Sequence, residues 1–171
     1  MKRMILTAVL AVAAAGVLCA QNYIVVNSEK IFKSIEAYNS AIEQVDKQAE
    51  TYQKQVDGKF KEVETLYNNY MAKKASLPES ARQSIESTIL QREQEATRLQ
   101  ESLFGTDGSL MKKRIELIQP IQNRVFKVIE EYANAHGYEL VLDIATNPNI
   151  LYYSPKADHT QAVIEALKET K

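Results

Sequence analysis

The sequence predicts an α+β fold, a long antiparallel α-helical hairpin flanked by short strands from the two ends of the chain. Three observations carry this. An apolar spacing of 3 and 4 residues hardly falters from Ile35 to Tyr132, and a proline-marked turn near Pro78 divides it in two. Outside that pattern stand β-type runs, Tyr23-Ile24-Val25-Val26 at one end and the alternating Tyr138, Leu140, Leu142 and Ile144 at the other. A 3, 4 spacing is the seam of a helix wound against another helix. A period of two marks a half-buried strand. The termini are therefore expected to meet in a small sheet from which the helices project as an arm. An arm has no natural place for a buried active site, so its surface is the expected instrument of function.

Residues 1–20 stand apart from the fold. Lys2 and Arg3 give a basic start, Met4 to Leu18 is rich in Ala, Val and Leu, and Cys19-Ala20 supplies small residues before Gln21. This reads as a secretory signal cut after Ala20, so the mature protein is expected to be exported. An uncleaved anchor is the alternative, disfavoured because the run is Ala-rich and barely long enough to span a bilayer. Lipidation through Cys19 is disfavoured by Val17 and Leu18, which sit where small residues should precede the cysteine. No later run is apolar for long enough to cross a membrane, so no transmembrane segment is expected in the mature chain. Residues 21–171 then form a single domain, with a body at 21–30 and 133–171 and an arm at 31–132 whose tip lies near 75–78.

Each element has a local reason. After the first strand, Asn27 or Ser28 can cap a helix with Glu29 in its first turn. That helix is expected to run from about Glu29 to Lys74, with Ile35, Tyr38, Ile42, Val45, Ala49, Tyr52 and Val56 as its seam. Ser76 followed by Glu79 reads as a capping box that restarts the chain, with Pro78 tolerated in the first turn. The returning helix carries Ile85, Ile89, Ala96, Leu99 and Leu103, then Ile118, Ile121, Val125, Val128 and Tyr132. Pro120 must lose the hydrogen bond to the Glu116 carbonyl, so a bend is expected there. Gly137 is the helix stop. A strand over Tyr138–Ile144, a turn at Asn147-Pro148-Asn149 and a strand at Ile150–Tyr153 follow, and Asp158 caps a last helix whose inner face is Ala162, Val163, Ala166 and Leu167.

Charge and composition exclude several functions. Cleavage leaves 19 basic against 22 acidic side chains, a net charge of −3, and no cysteine. That balance is wrong for a nucleic-acid binder, and disulfide or thiol chemistry is absent. His136 and His159 lack Cys, Asp or Glu partners at a metal-ligand spacing, and no Gly-rich phosphate loop follows a strand. The acidic residues of the arm alternate with Lys and Arg, as on a solvated coiled-coil face. No enzyme activity, metal or cofactor is expected.

With these residues in view, the chain resembles the Skp/OmpH-like family of periplasmic chaperones. The resemblance covers nearly all of the mature chain. It is carried by Ile24-Val25-Val26-Asn27, Leu77-Pro78-Glu79, Gly137 to Asp143, Ile150-Leu151-Tyr152 and the Asp158-x-Thr160 opening of the last helix, in that order around a helical hairpin. It implies a homotrimer with a β-barrel-like oligomerisation body and three tentacle-like hairpins around a cavity. Unfolded outer-membrane β-barrel proteins would be held there without ATP. Better-known members are strongly basic whereas this chain is slightly acidic, so any contact with a membrane surface should be weak. His159 also departs from the family, which usually has an apolar residue at that point.

Three sets of residues are singled out. Ile24, Val26, Leu140, Leu142, Ile144, Ile150 and Tyr152 need partners that a lone protomer should not supply, and are expected to form the trimer core. At the arm tip, Met71, Lys73 and Lys74 are expected to touch client, while Tyr67 and Tyr70 close the hairpin seam. Gly58, Gly105, Gly108 and Pro120 are candidate hinges. The seam Tyr52, Val56, Phe60, Val63, Tyr67, Tyr70 contains a doubled step of 4, a stutter, at Gly58. The helices are expected to continue through Gly58 and through Gly105–Gly108 with their weakest protection there; the other reading is drift tolerated on an exposed face. A coiled-coil spacer or adaptor of the cell envelope is the competing function.

Overall fold

The structure is a computed structural model and describes residues 23–170. The expected signal segment lies outside the described residues. The elements are β1 (Tyr23–Val26), α1 (Ser28–Lys33), α2 (Glu36–Lys73), a 3-10 turn (Lys74–Ser76), α3 (Glu79–Phe104), α4 (Ser109–His136), β2 (Leu140–Asp143), a second 3-10 turn (Pro155–Ala157) and α5 (Thr160–Glu169). They fall into two compact units, residues 37–121 and the two chain ends, with the division inside α4 next to Pro120.

In the unit made from the chain ends, β1 and β2 run parallel, with Tyr23 opposite Leu140 and Val26 opposite Asp143. A parallel pair needs a long crossover, and here the whole helical hairpin is that crossover. Ile144 N–H extends the ladder to the Val26 carbonyl oxygen at 2.9 Å, and His159 N–H reaches the Val25 carbonyl oxygen at 2.9 Å. Ile24 and Val26 point into one cluster with Ile31, Val125, Val128, Val163 and Leu167, with Val141 packed against it. Burying seven such side chains, at about 1.5–3 kcal/mol each, is what closes the chain ends on each other. Arg124 on α4 adds a clamp, donating to the Leu167 and Thr170 carbonyl oxygens at the C-terminal end of α5. Such a cation meets the negative end of the helix dipole.

Local chemistry sets the element ends. Asn27 is the cap of α1, its side-chain oxygen accepting from Lys30 N–H at 2.9 Å. The expected single helix from Glu29 to Lys74 is interrupted after Lys33. There the Ser34 hydroxyl donates to the Ile31 carbonyl oxygen at 2.7 Å and the backbone tightens, before α2 starts at Glu36. A serine hydroxyl that competes for a helix carbonyl is a known breaker. α4 ends as expected at Gly137, where φ is +73°. Gly137 N–H bonds to the Asn134 carbonyl oxygen at 3.3 Å and Tyr138 N–H to that of Ala133 at 2.9 Å. This is the Schellman pattern, and it needs a left-handed residue.

The other unit is the helical hairpin. Ala41 and Val45 of α2 pack with Ile118 of α4, Tyr52 meets Phe104 edge-on at 6.3 Å, and the Tyr70 hydroxyl donates to Glu86. Contacts thus advance along α2 while retreating along the returning helices. Three details differ from expectation. Ser76 caps nothing ahead of it: its hydroxyl donates back to the Lys73 carbonyl oxygen at 2.9 Å, and the cap position of α3 is Pro78. The returning helix also stops at Phe104 and restarts at Ser109. A Cβ on Gly105 would run into the Glu101 carbonyl oxygen, and one on Gly108 would stand 2.8 Å from that of Leu103. The two glycines therefore permit a tight turn of backbone against backbone between α3 and α4, not a weak helix. Finally, the stutter is absent. Leu66 is turned inward where Tyr67 was expected and Phe60 is exposed, so the inward residues Tyr52, Val56, Val63, Leu66 and Tyr70 are spaced 4, 7, 3, 4, which keeps the seven-residue repeat. α2 passes Gly58 without interruption.

The expected strand at Ile150–Tyr153 is not formed among the described residues; Leu151 and Tyr152 are 94% and 84% exposed. A strand needs a neighbour to share its hydrogen bonds. β1 already has β2 on one side and a single bridge to Asp158 on the other.

Candidate functional site

Both histidines belong to a ring cluster. His159 Nδ1 lies 2.8 Å from the Tyr132 hydroxyl and its Nε2 3.4 Å from that of Tyr138. His136 Nδ1 lies 2.8 Å from the Tyr132 carbonyl oxygen. Burial pushes the Tyr132 hydroxyl above its ordinary pKa. Among the described residues no group of three or more His, Cys, Asp or Glu is placed to hold a metal ion. No helix among them is long and apolar enough to cross a membrane.

The feature that stands out is the hairpin tip. Tyr70 is buried and forms the floor of a hollow of about 220 Å³. Tyr67 and Met71 of α2, each 50% exposed, form one wall, and Ile89 and Leu90 of α3 form the other, with Leu90 54% exposed. Lys74 and Glu86 close the rim with their charges 3.7 Å apart, and Lys74 Nζ lies 5.3 Å from the centre of the Tyr70 ring. The hydrogen bond to the Glu86 carboxylate, then burial, raises the Tyr70 hydroxyl pKa. A hollow with apolar walls, a Lys74–Glu86 pair and the Glu93 carboxylate at its edge offers adaptable, weakly directional contact, to which a thioether is well suited.

The tip residues thus divide differently from expectation. Tyr70 closes the seam as foreseen, while Tyr67 is displaced from it by Leu66 and becomes a wall. Met71 and Lys74 line the hollow. Lys73 is exposed outside it. Leu90 was missed, although its place beside Ile89, off the 3, 4 spacing, was the available signal.

Of the seven residues expected to seek partners in another subunit, Ile24 and Val26 find theirs within the chain, in the cluster described above. Leu140, Leu142, Ile144, Ile150 and Tyr152 lie outside that cluster, and Leu140 is half exposed beside Tyr23. Of the hinge candidates, Gly58 faces open space, Gly105 and Gly108 build the turn, and Pro120 lies inside α4.

The chain matches the family described as outer membrane protein (OmpH-like) over residues 22–167. A protein of Aquifex aeolicus (strain VF5), itself uncharacterized, is 27% identical over 153 residues, 90% of each chain. A crystal structure of an OmpH-like protein from Caulobacter crescentus CB15 superposes with a TM-score of 0.64 at 13% identity, over 90% of this chain and 87% of that one. The likeness to it is one of fold.

Proposed function

Because the chain belongs to the OmpH-like family of outer membrane proteins, we propose that it is an ATP-independent holdase chaperone of the periplasm. It binds unfolded outer-membrane β-barrel proteins between helical arms and keeps them from aggregating. The single observation that carries this reading is the apolar hollow at the tip of a long hairpin, walled by half-exposed Tyr67, Met71 and Leu90. The description of the Caulobacter protein as a candidate outer membrane chaperone supports it. No catalytic step and no cofactor are part of the reading.

In this proposal Met71 and Lys74, with Lys73 nearby, touch client, and three copies associate through Leu140, Leu142, Ile144, Ile150 and Tyr152. What supports association is the exposure of Leu151 and Tyr152, apolar and aromatic side chains in a segment with no strand partner among the described residues. Export by a cleaved signal at residues 1–20 completes the reading.

One observation favours the second reading, a coiled-coil spacer of the envelope: α2 is unbroken for 38 residues, about 57 Å at 1.5 Å per residue. The discriminating experiment dilutes a urea-unfolded outer-membrane β-barrel protein into buffer with and without this protein, with no nucleotide added. Light scattering should stay low in its presence. Aggregation at the same rate with and without it would leave the spacer.

A further inference from the structure

We propose that Met71 is an oxidation site that switches the tip hollow off, a step that rests on the client-contact reading above. The chain has four methionines and one cysteine. Met1, Met4 and Cys19 lie in the segment expected to be removed, so the exported chain carries its sulfur in Met71 and Met111 alone. Met71 is half exposed in the folded protein, and an oxidant reaches its thioether with no unfolding step. Its position gives the modification a consequence, because its side chain is one apolar wall of the hollow, facing Leu90 over the Tyr70 floor.

The reagent is a hydroperoxide, hydrogen peroxide in the simplest case. The Met71 sulfur lone pair attacks one peroxide oxygen, an S–O bond forms and the O–O bond breaks. The departing hydroxide takes the proton of the newly bound oxygen and leaves as water. Sulfur has then lost two electrons and the peroxide has gained them. The product is a sulfoxide, polar and chiral where an apolar, flexible side chain stood, a change that disrupts methionine-lined contact surfaces. Met111, on α4 and also exposed, does not line the hollow and serves as the internal control.

The test treats the intact folded protein with hydrogen peroxide, follows both methionines by peptide mass spectrometry, and measures apparent affinity for an unfolded outer-membrane β-barrel protein. Oxidation should lower that affinity about three- to tenfold, the range of one lost sulfur–aromatic or apolar contact, with the circular dichroism unchanged. Whatever its own starting affinity for client, Met71→Leu should keep that affinity unchanged after peroxide. Met111→Leu should lose affinity on treatment as the natural protein does. Met71→Gln should show the loss with no oxidant present. The proposal is overturned if affinity survives complete sulfoxide formation at Met71, or if Met71→Leu loses as much as the natural protein. Absence of client binding by the untreated protein is a separate outcome: it overturns the holdase reading, and this inference with it.

Discussion

Asp143 gathers four hydrogen bonds on one carboxylate. Its carboxylate accepts from Ser28 N–H at 3.0 Å, the Ser28 hydroxyl at 2.6 Å, Ala145 N–H at 2.9 Å and the Thr146 hydroxyl at 2.8 Å. One side chain thus ties the start of α1 to the end of β2. Burial pushes its pKa up, and the four hydrogen bonds together outweigh burial, leaving it below the ordinary carboxylate value. A depressed native pKa stabilises the fold above the unfolded value, about 3.9 for Asp, and that stability is lost as pH falls through the native value. Thermal denaturation from pH 7 down to 3 should therefore show a fall in melting temperature below about pH 4 that Asp143→Asn lessens. At pH 7 the same substitution should cost about 1–3 kcal/mol, because an amide group cannot accept from all four donors.

At the scale of elements, the glycines of the two sides of the hairpin are opposites. Gly58 sits in the middle of α2 with nothing within 4 Å of the place a Cβ would take. Gly58→Ala should then raise stability by about 1 kcal/mol, the difference in helix propensity. Gly108→Ala should lower it by roughly 1–3 kcal/mol, as overpacking does, since its Cβ would press on the backbone oxygens of Leu103 and Gly105. Shifts of the denaturant midpoint in opposite directions would bear this out; stabilisation by both would show that the α3–α4 turn is not built as described. Hydrogen exchange adds a second measure, with amides of Thr106 and Asp107 exchanging faster than those of Val45 or Val125, and Gly58 protected like its neighbours in α2.

For the molecule as a whole, the chain ends already close on a core that needs no second copy, since Ile24, Ile31, Val125 and Val163 are fully buried within one chain. Assembly, as proposed, uses side chains outside that core. Tyr152→Asp should accordingly dissociate the trimer while leaving helical content and a cooperative melt intact, because a charge at an exposed position carries no burial penalty in the free protomer. Light scattering with circular dichroism reads both. A variant that stays trimeric, or one that unfolds on dissociation, would contradict this division between core and contact surface.

The sequence by itself determined the long helices, the strands β1 and β2, the turn near Pro78, the Gly137 stop and the inner face of α5, because each rests on local chemistry: a period of 3.5 or 2, a proline, a left-handed residue. Only the tertiary structure decided which residues the periods turn inward. Leu66 and Tyr67 both fit a 3 or 4 step from Val63, and only the folded hairpin shows Leu66 half-buried and Tyr67 left exposed to line the tip. Likewise Gly105 and Gly108 read as weak helix until the Glu101 and Leu103 carbonyl oxygens are seen to occupy the space a Cβ would need. Ile150–Tyr153 has strand composition without a strand, since β structure is completed by a neighbour and composition names none.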